Sequence, residues 1–179
     1  MKDNAPAEQE QQEESQGQEL LDVEIEDKTT SAETPVIDDP DAPRMLLKGF
    51  DVRGVNEYPE YDISPERIQQ LIADDVVSMI PEGSQRLFTI GMFERVANAV
   101  TRYYRERGFF LSRAYIPEQK VTNGIVTLKV AESFLEQVEF DGNELYDDET
   151  MMVLLEELVD KPVHIKGVES ALYKLNDYP

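Results

Sequence analysis

The chain has 179 residues, a formal net charge of −21, no cysteine and a single histidine, His164. The missing thiols exclude disulfide, zinc–thiolate and cysteine-nucleophile chemistry, and one histidine leaves no basis for a His-built metal or acid–base cluster. So acidic a chain repels nucleic-acid phosphates, and no apolar run reaches the ~18 residues that a membrane helix needs.

Residues 1–44 hold 14 acidic and 3 basic side chains and no aromatic residue. Burial there cannot offset an ordering cost of ~1–2 kcal/mol per residue, so a disordered acidic segment is expected. Leu20, Leu21, Val23 and Ile25 are its one apolar patch, readable as part of a solvated linker or as a partner-docking or plug segment. The character changes at Met45, and residues 45–55 read as a strand through Leu47, Phe50, Val52 and Val55. Ser64-Pro65-Glu66 then offers an N-cap hydroxyl, a proline at the first helical position and an acid in the first turn. Ile68, Leu71, Ile72, Val76 and Met79 form an apolar helical stripe interrupted at Asp75.

A second helix follows, capped by Thr89. Phe93, Val96, Ala97, Val100 and Tyr104 recur at helical spacing on one face, and Arg105 and Arg107 suit the negative end of the helix dipole. Gly108 takes the position where a left-handed residue ends a helix. The period then changes to that of strands. Residues 112–116 read as a strand stopped by Pro117, Asn123-Gly124 as a turn, and residues 125–130 as a second strand antiparallel to the first. The order strand-helix-helix-strand-strand predicts an α+β domain over residues 45–132, with both helices on one face of a small sheet.

The opening of this pattern repeats. Val138-Glu139-Phe140-Asp141-Gly142 echoes Phe50-Asp51-Val52-Arg53-Gly54 at an offset of 88 residues. Asp147 or Asp148 is placed to cap a helix carrying Met151, Leu154, Leu155 and Leu158, and a further helix is expected from Gly167. Residues 133–179 therefore read as the start of a second, incomplete copy, and the chain as a fragment.

Three stretches resemble a known family. Tyr103-Tyr104-Arg105-Glu106-Arg107-Gly108-Phe109, Ala114-Tyr115-Ile116-Pro117 and Gly124-Ile125-Val126-Thr127-Leu128-Lys129-Val130-Ala131-Glu132 are similar, in this order, to the polypeptide-transport-associated (POTRA) domain. The version resembled is that of two-partner-secretion outer-membrane transporters of the haemolysin-activator type. The resemblance implies β-α-α-β-β domains in tandem ahead of a membrane β-barrel of the same parent chain. It also implies a position at the periplasmic face of the outer membrane and contact with unfolded, secreted polypeptide. The alternative is a POTRA-type scaffold that organises an envelope complex and transports nothing.

No enzyme is expected. Asp74-Asp75 and Asp147-Asp148-Glu149 point apart as helix neighbours, His164 reads as a surface residue between helices, and Ser64, Ser84 and Ser112 have no evident base. Nor is a metal, cofactor, nucleic acid or small-molecule substrate expected; the connection Pro81-Glu82-Gly83-Ser84-Gln85-Arg86 lacks the G-x-x-G loop of the similarly ordered KH fold. The candidate site is a sheet edge open to an extended client. Arg113, Ala114, Tyr115 and Ile116 would form it, with Tyr103 on the rim. Tyr103 and Tyr115 also suit a plain core or half-buried sheet role.

Overall fold

The computed structural model describes residues 24–25, 41–139 and 148–176. The local signals produce the elements they announce. Helix α1, Pro65–Met79, starts where Ser64 Oγ accepts from the Arg67 amide at 3.1 Å, with Pro65 in the first turn. It stops at Ile80, which is extended, as a residue preceding proline prefers. Helix α2, Ile90–Glu106, starts where Thr89 Oγ1 accepts from the Met92 amide at 3.3 Å. It ends in a left-handed glycine: Gly108 has φ +91°, its amide reaches Arg105 O, and the Phe109 amide reaches Tyr104 O.

The strands, in chain order, are β1 (Glu24–Ile25), β2 (Met45–Leu46), β3 (Gly49–Arg53), β4 (Leu87–Phe88), β5 (Arg113–Tyr115), β6 (Gln119–Lys120) and β7 (Ile125–Ala131). Three of them make the main sheet, in the order β3-β7-β5. β5 is antiparallel to β7, as expected, with Arg113 opposite Ala131 and Tyr115 opposite Lys129. β3 is parallel to β7, Gly49 opposite Ile125, a pairing that α1, α2 and β5 bridge in the chain. The expected single strand of residues 45–55 is interrupted at Leu47 and Lys48. Its first part, β2, pairs with β4, and its second part enters the main sheet.

Alternation along β7 sorts its faces: Val126, Leu128 and Val130 are buried, while Ile125, Lys129 and Ala131 are exposed. The buried face meets Ile68, Ile72 and Val76 of α1 and Phe93, Val96, Val100 and Tyr104 of α2 in one core. Asp75, which interrupts the α1 stripe, is half-buried and feels Arg95 and Arg102 of α2; burial nevertheless raises its carboxyl.

Within the acidic segment, β1 pairs antiparallel with β6, Glu24 opposite Lys120 and Ile25 opposite Gln119. These two residues of the segment 1–44, expected to be disordered, are thus in a ladder, while residues 1–23 and 26–40 lie outside the described residues. Further along the chain than β7 come α3 (Asp148–Leu155), a 3-10 turn at Glu156–Leu158 and α4 (Ile165–Asn176). The expected strand at residues 138–142 lies mostly outside the described residues.

Candidate functional site

β5 lies at one margin of the main sheet, with β7 as its only strand neighbour among the described residues. In an antiparallel ladder successive residues turn their N–H and C=O to opposite sides. The Ala114 amide donates to Thr101 Oγ1 of α2 at 2.9 Å, so Ala114 is the residue of β5 whose backbone faces away from β7. Thr101 is 6 % exposed; its hydroxyl donates to Ala97 O one turn back, at 3.0 Å, with Ala114 O at 3.4 Å as the longer alternative.

The next rung toward β7 is closed differently. The register carries Thr127 opposite Pro117, which has no N–H to give. The Gln119 side chain fills that place, accepting from the Thr127 amide at 2.7 Å and donating to Thr127 O at 2.8 Å. A primary amide has the same donor–acceptor pair as a peptide group, so it stands in for a strand residue. The opposite margin is β3. By the same alternation its outward groups are those of Phe50 and Val52, with no strand beside them among the described residues.

Four of the five expected site residues are thus contiguous on the β5 margin. Arg113 and Tyr115 are half-buried on the outer sheet face, the guanidinium 5.7 Å from the tyrosine ring centre. Ala114 is buried, and Ile116 packs against the core. Tyr103 is elsewhere. It is 6 % exposed, its hydroxyl donates to Asp62 (2.7 Å to O, 2.9 Å to Oδ2), and the Arg107 guanidinium lies 3.3 Å from its ring centre. The Tyr103 hydroxyl, then Arg67 and Arg107, hold the Asp62 carboxyl below the usual range. Tyr103 therefore secures the loop before α1.

Two further clusters support the margin. Glu132, just past β7, accepts from the Asn56 amide (3.0 Å), Asn56 Nδ2 (2.7 Å), Tyr58 Oη (2.7 Å) and Tyr104 Oη (2.8 Å). Burial first, and the Glu132 carboxylate second, push both tyrosine hydroxyls well above their ordinary pKa. One side chain thereby ties the end of β7 to α2 and to the loop after β3.

His164 corrects the sequence reading. It is 9 % exposed, not a surface residue, and packs at a tilt on Tyr61 and edge-on against Phe109, at ring-centre distances of 4.2 and 4.9 Å. Its Nε2 lies 2.9 Å from Arg107 O, and its Nδ1 accepts from the Lys166 amide at 3.1 Å. A Cβ on Gly108 would come within 2.4 Å of that Nε2. Gly108 therefore serves twice, ending α2 and admitting the imidazole that joins the segment before α4 to α2. Thr101, Gln119 and Glu132 were given no role from the sequence, and His164 was read only as a surface residue. The only available signals were a polar residue flanking the α2 stripe and the closing acid of the Val130-Ala131-Glu132 run.

A three-stranded mixed sheet, two helices across one face and a marginal strand flanked by a helix define a small α+β module. Residues 47–133 match the family described as "POTRA domain, ShlB-type", which is a transporter-domain family and not an enzyme family. The chain is homologous to the outer membrane transporter CdiB of Escherichia coli O6:K15:H31 (strain 536 / UPEC), at 28 % identity over 81 residues. That alignment takes in 45 % of this chain and 14 % of the relative; a second Escherichia coli CdiB aligns at 27 % identity. Among solved structures, CdiB from Escherichia coli superposes with a TM-score of 0.61 at 21 % identity, covering 83 % of this chain and 25 % of that one. The N-terminal domain of Omp85 from the thermophilic cyanobacterium Thermosynechococcus elongatus gives 0.50 at 18 % identity, covering 74 % and 54 %. Both structural likenesses establish the fold. Among the described residues no helix is long and apolar enough to cross a membrane.

Proposed function

We propose that this chain is a periplasmic polypeptide-binding module, without catalytic activity, of an outer-membrane protein transporter of two-partner secretion. It receives a secreted protein in extended form and passes it to a β-barrel of the same parent chain. Residues 45–132 form the first POTRA domain, and residues 133–179 are the opening elements of a second. The second assignment draws support from the CdiB likeness, which covers 83 % of the chain and so runs past the 47–133 match.

Capture is by strand addition at residues 113–116. The observation that carries this reading is the position of β5, a three-residue strand at the sheet margin with Arg113, Tyr115 and Ile116 still partly accessible. Backbone hydrogen bonds let such a margin accept many sequences, which suits a carrier of unfolded clients. The outer face of the sheet, carrying Lys129 and Arg113, gives a locally basic surface in an otherwise acidic chain.

Proline at Ala114 tests it. The probe is carboxymethylated α-lactalbumin, which stays unfolded, and binding is followed by fluorescence anisotropy. Ala114→Pro with an unchanged circular dichroism spectrum should weaken binding at least about tenfold. Undiminished binding by a folded variant would remove the margin as the dock. A scaffold role, in contrast, would leave the wild-type chain indifferent to the probe.

A further inference from the structure

We propose that Thr101 is the shutter of the β5 margin: its hydroxyl occupies the backbone position that an arriving strand must take, and α2 withdraws at that residue when a client pairs. The inference rests on reading β5 as the dock and adds how that dock is kept closed and opened. Ala114 is the one residue of β5 whose N–H and C=O face outward, and Thr101 Oγ1 lies 2.9 Å from the first and 3.4 Å from the second. One hydroxyl thus covers both groups that a client's peptide unit would address. An exposed strand edge invites unwanted pairing, and a side chain placed over it suppresses that hazard.

The closure is built for easy release. Thr101 also donates to Ala97 O of its own helix at 3.0 Å. When Ala114 exchanges the hydroxyl for a client carbonyl, Thr101 keeps its helical acceptor and Ala114 gains an equivalent one. No buried polar group is stranded at either end, so the exchange is close to balanced. Two neighbouring features show backbone positions beside β5 already filled by a side-chain amide or an added strand, which suits an extended occupant. The rung at Thr127 is already completed by a peptide-like amide, that of Gln119. Immediately along the chain, β6 carries an added antiparallel strand, β1, drawn from the distant acidic segment.

Valine matches threonine in shape and removes only the hydroxyl. In the full chain, Thr101→Val leaves the Ala114 N–H and C=O without their partner, so the free margin is less stable and more receptive. Binding of carboxymethylated α-lactalbumin should tighten about tenfold. Thr101→Ser, which keeps the hydroxyl, should bind as the wild type does. A wild-type measurement covers the case in which the valine variant fails to fold: the Thr101 γ-methyl resonance and the Ala114 amide must shift together on adding the probe. Equal affinities of wild type and Thr101→Val, with the Ala114 amide still responding, would overturn the shutter while leaving the dock in place. A response at Phe50 and Val52 in place of Ala114, or none at all, would overturn both.

Discussion

Replacing Glu132 by glutamine isolates the tie that holds the end of β7 to α2 and to the loop after β3. The carboxylate accepts four hydrogen bonds, two on each oxygen: Asn56 N and Tyr104 Oη on Oε1, Asn56 Nδ2 and Tyr58 Oη on Oε2. Glutamine keeps one acceptor oxygen and turns an NH2 group toward the other two donors. Whichever way the amide sits, two bonds to an ionised group are lost, each contributing about 1.5–3 kcal/mol. Asn56 is exposed and regains water on either side, while the NH2 faces the fully buried Tyr104 hydroxyl if it takes the Oε1 place and the half-buried Tyr58 hydroxyl if it takes the Oε2 place. The expected loss is therefore about 3 kcal/mol or more, which for a domain of this size lowers Tm by ~12 °C or more. Urea unfolding followed by circular dichroism measures it, with an unchanged slope if the native state stays compact. Tyr104→Phe or Tyr58→Phe in the same chain, whichever phenol the NH2 faces, should recover part of the loss, because it removes the donor left without an acceptor. A Glu132→Gln cost below about 1 kcal/mol, or no coupling to either Tyr104→Phe or Tyr58→Phe, would refute the reasoning.

Three further outcomes follow from the same geometry. Tyr58 and Tyr104 have hydroxyls whose folded pKa lies above the ordinary tyrosine value of about 10, so their contribution is intact below pH ~10 and is lost as pH rises beyond it; urea midpoints should fall in that alkaline range, and less steeply in Tyr58→Phe/Tyr104→Phe. Gly108→Ala places a Cβ against His164 Nε2 at a φ of +91°, and calorimetry should show a loss of about 2 kcal/mol or more, with weakened protection of the Ile165 amide that donates to Gly108 O at 2.9 Å. Ser112 is buried with its Oγ unpartnered among the described residues, so Ser112→Ala should be neutral or stabilising by up to ~1 kcal/mol in a urea titration; a loss above that would reveal a partner for the hydroxyl.

The parts of the fold that were legible depend on neighbours in the chain. Ser64 before Pro65, Thr89 before α2, Gly108 after it and the Asn123-Gly124 turn each act within a few residues, and each does what its chemistry requires: Asn123 and Gly124 both take positive φ, 57° and 72°. The β7 alternation was readable for the same reason, since burial of one face imposes period two. Pairing across distance was not. Nothing near Phe50 announces that β3 lies parallel to β7, or that Glu24–Ile25 will add to β6.

At the margin, the contiguous run 113–116 could be named because a strand stopped by proline marks a sheet edge. Thr101 and Gln119 could not, since a side chain standing in for backbone leaves no periodic trace. Tyr103 shows the converse. A tyrosine on the edge of an apolar stripe suits a rim as well as a core, and only the positions of Asp62 and Arg107 settle which one it joins. His164 was misread for a similar reason: a lone histidine in a connection looks solvated until Tyr61, Phe109 and the space left by Gly108 are brought around it.

The central claim is that an extended client pairs with β5. Carboxymethylated α-lactalbumin bearing nitroxides on its lysines, added to the isotope-labelled chain, tests it through relaxation of individual amide signals. The account predicts the strongest broadening at Ala114 and Ile116. Broadening centred on Phe50 and Val52, or spread evenly over the chain, would contradict it.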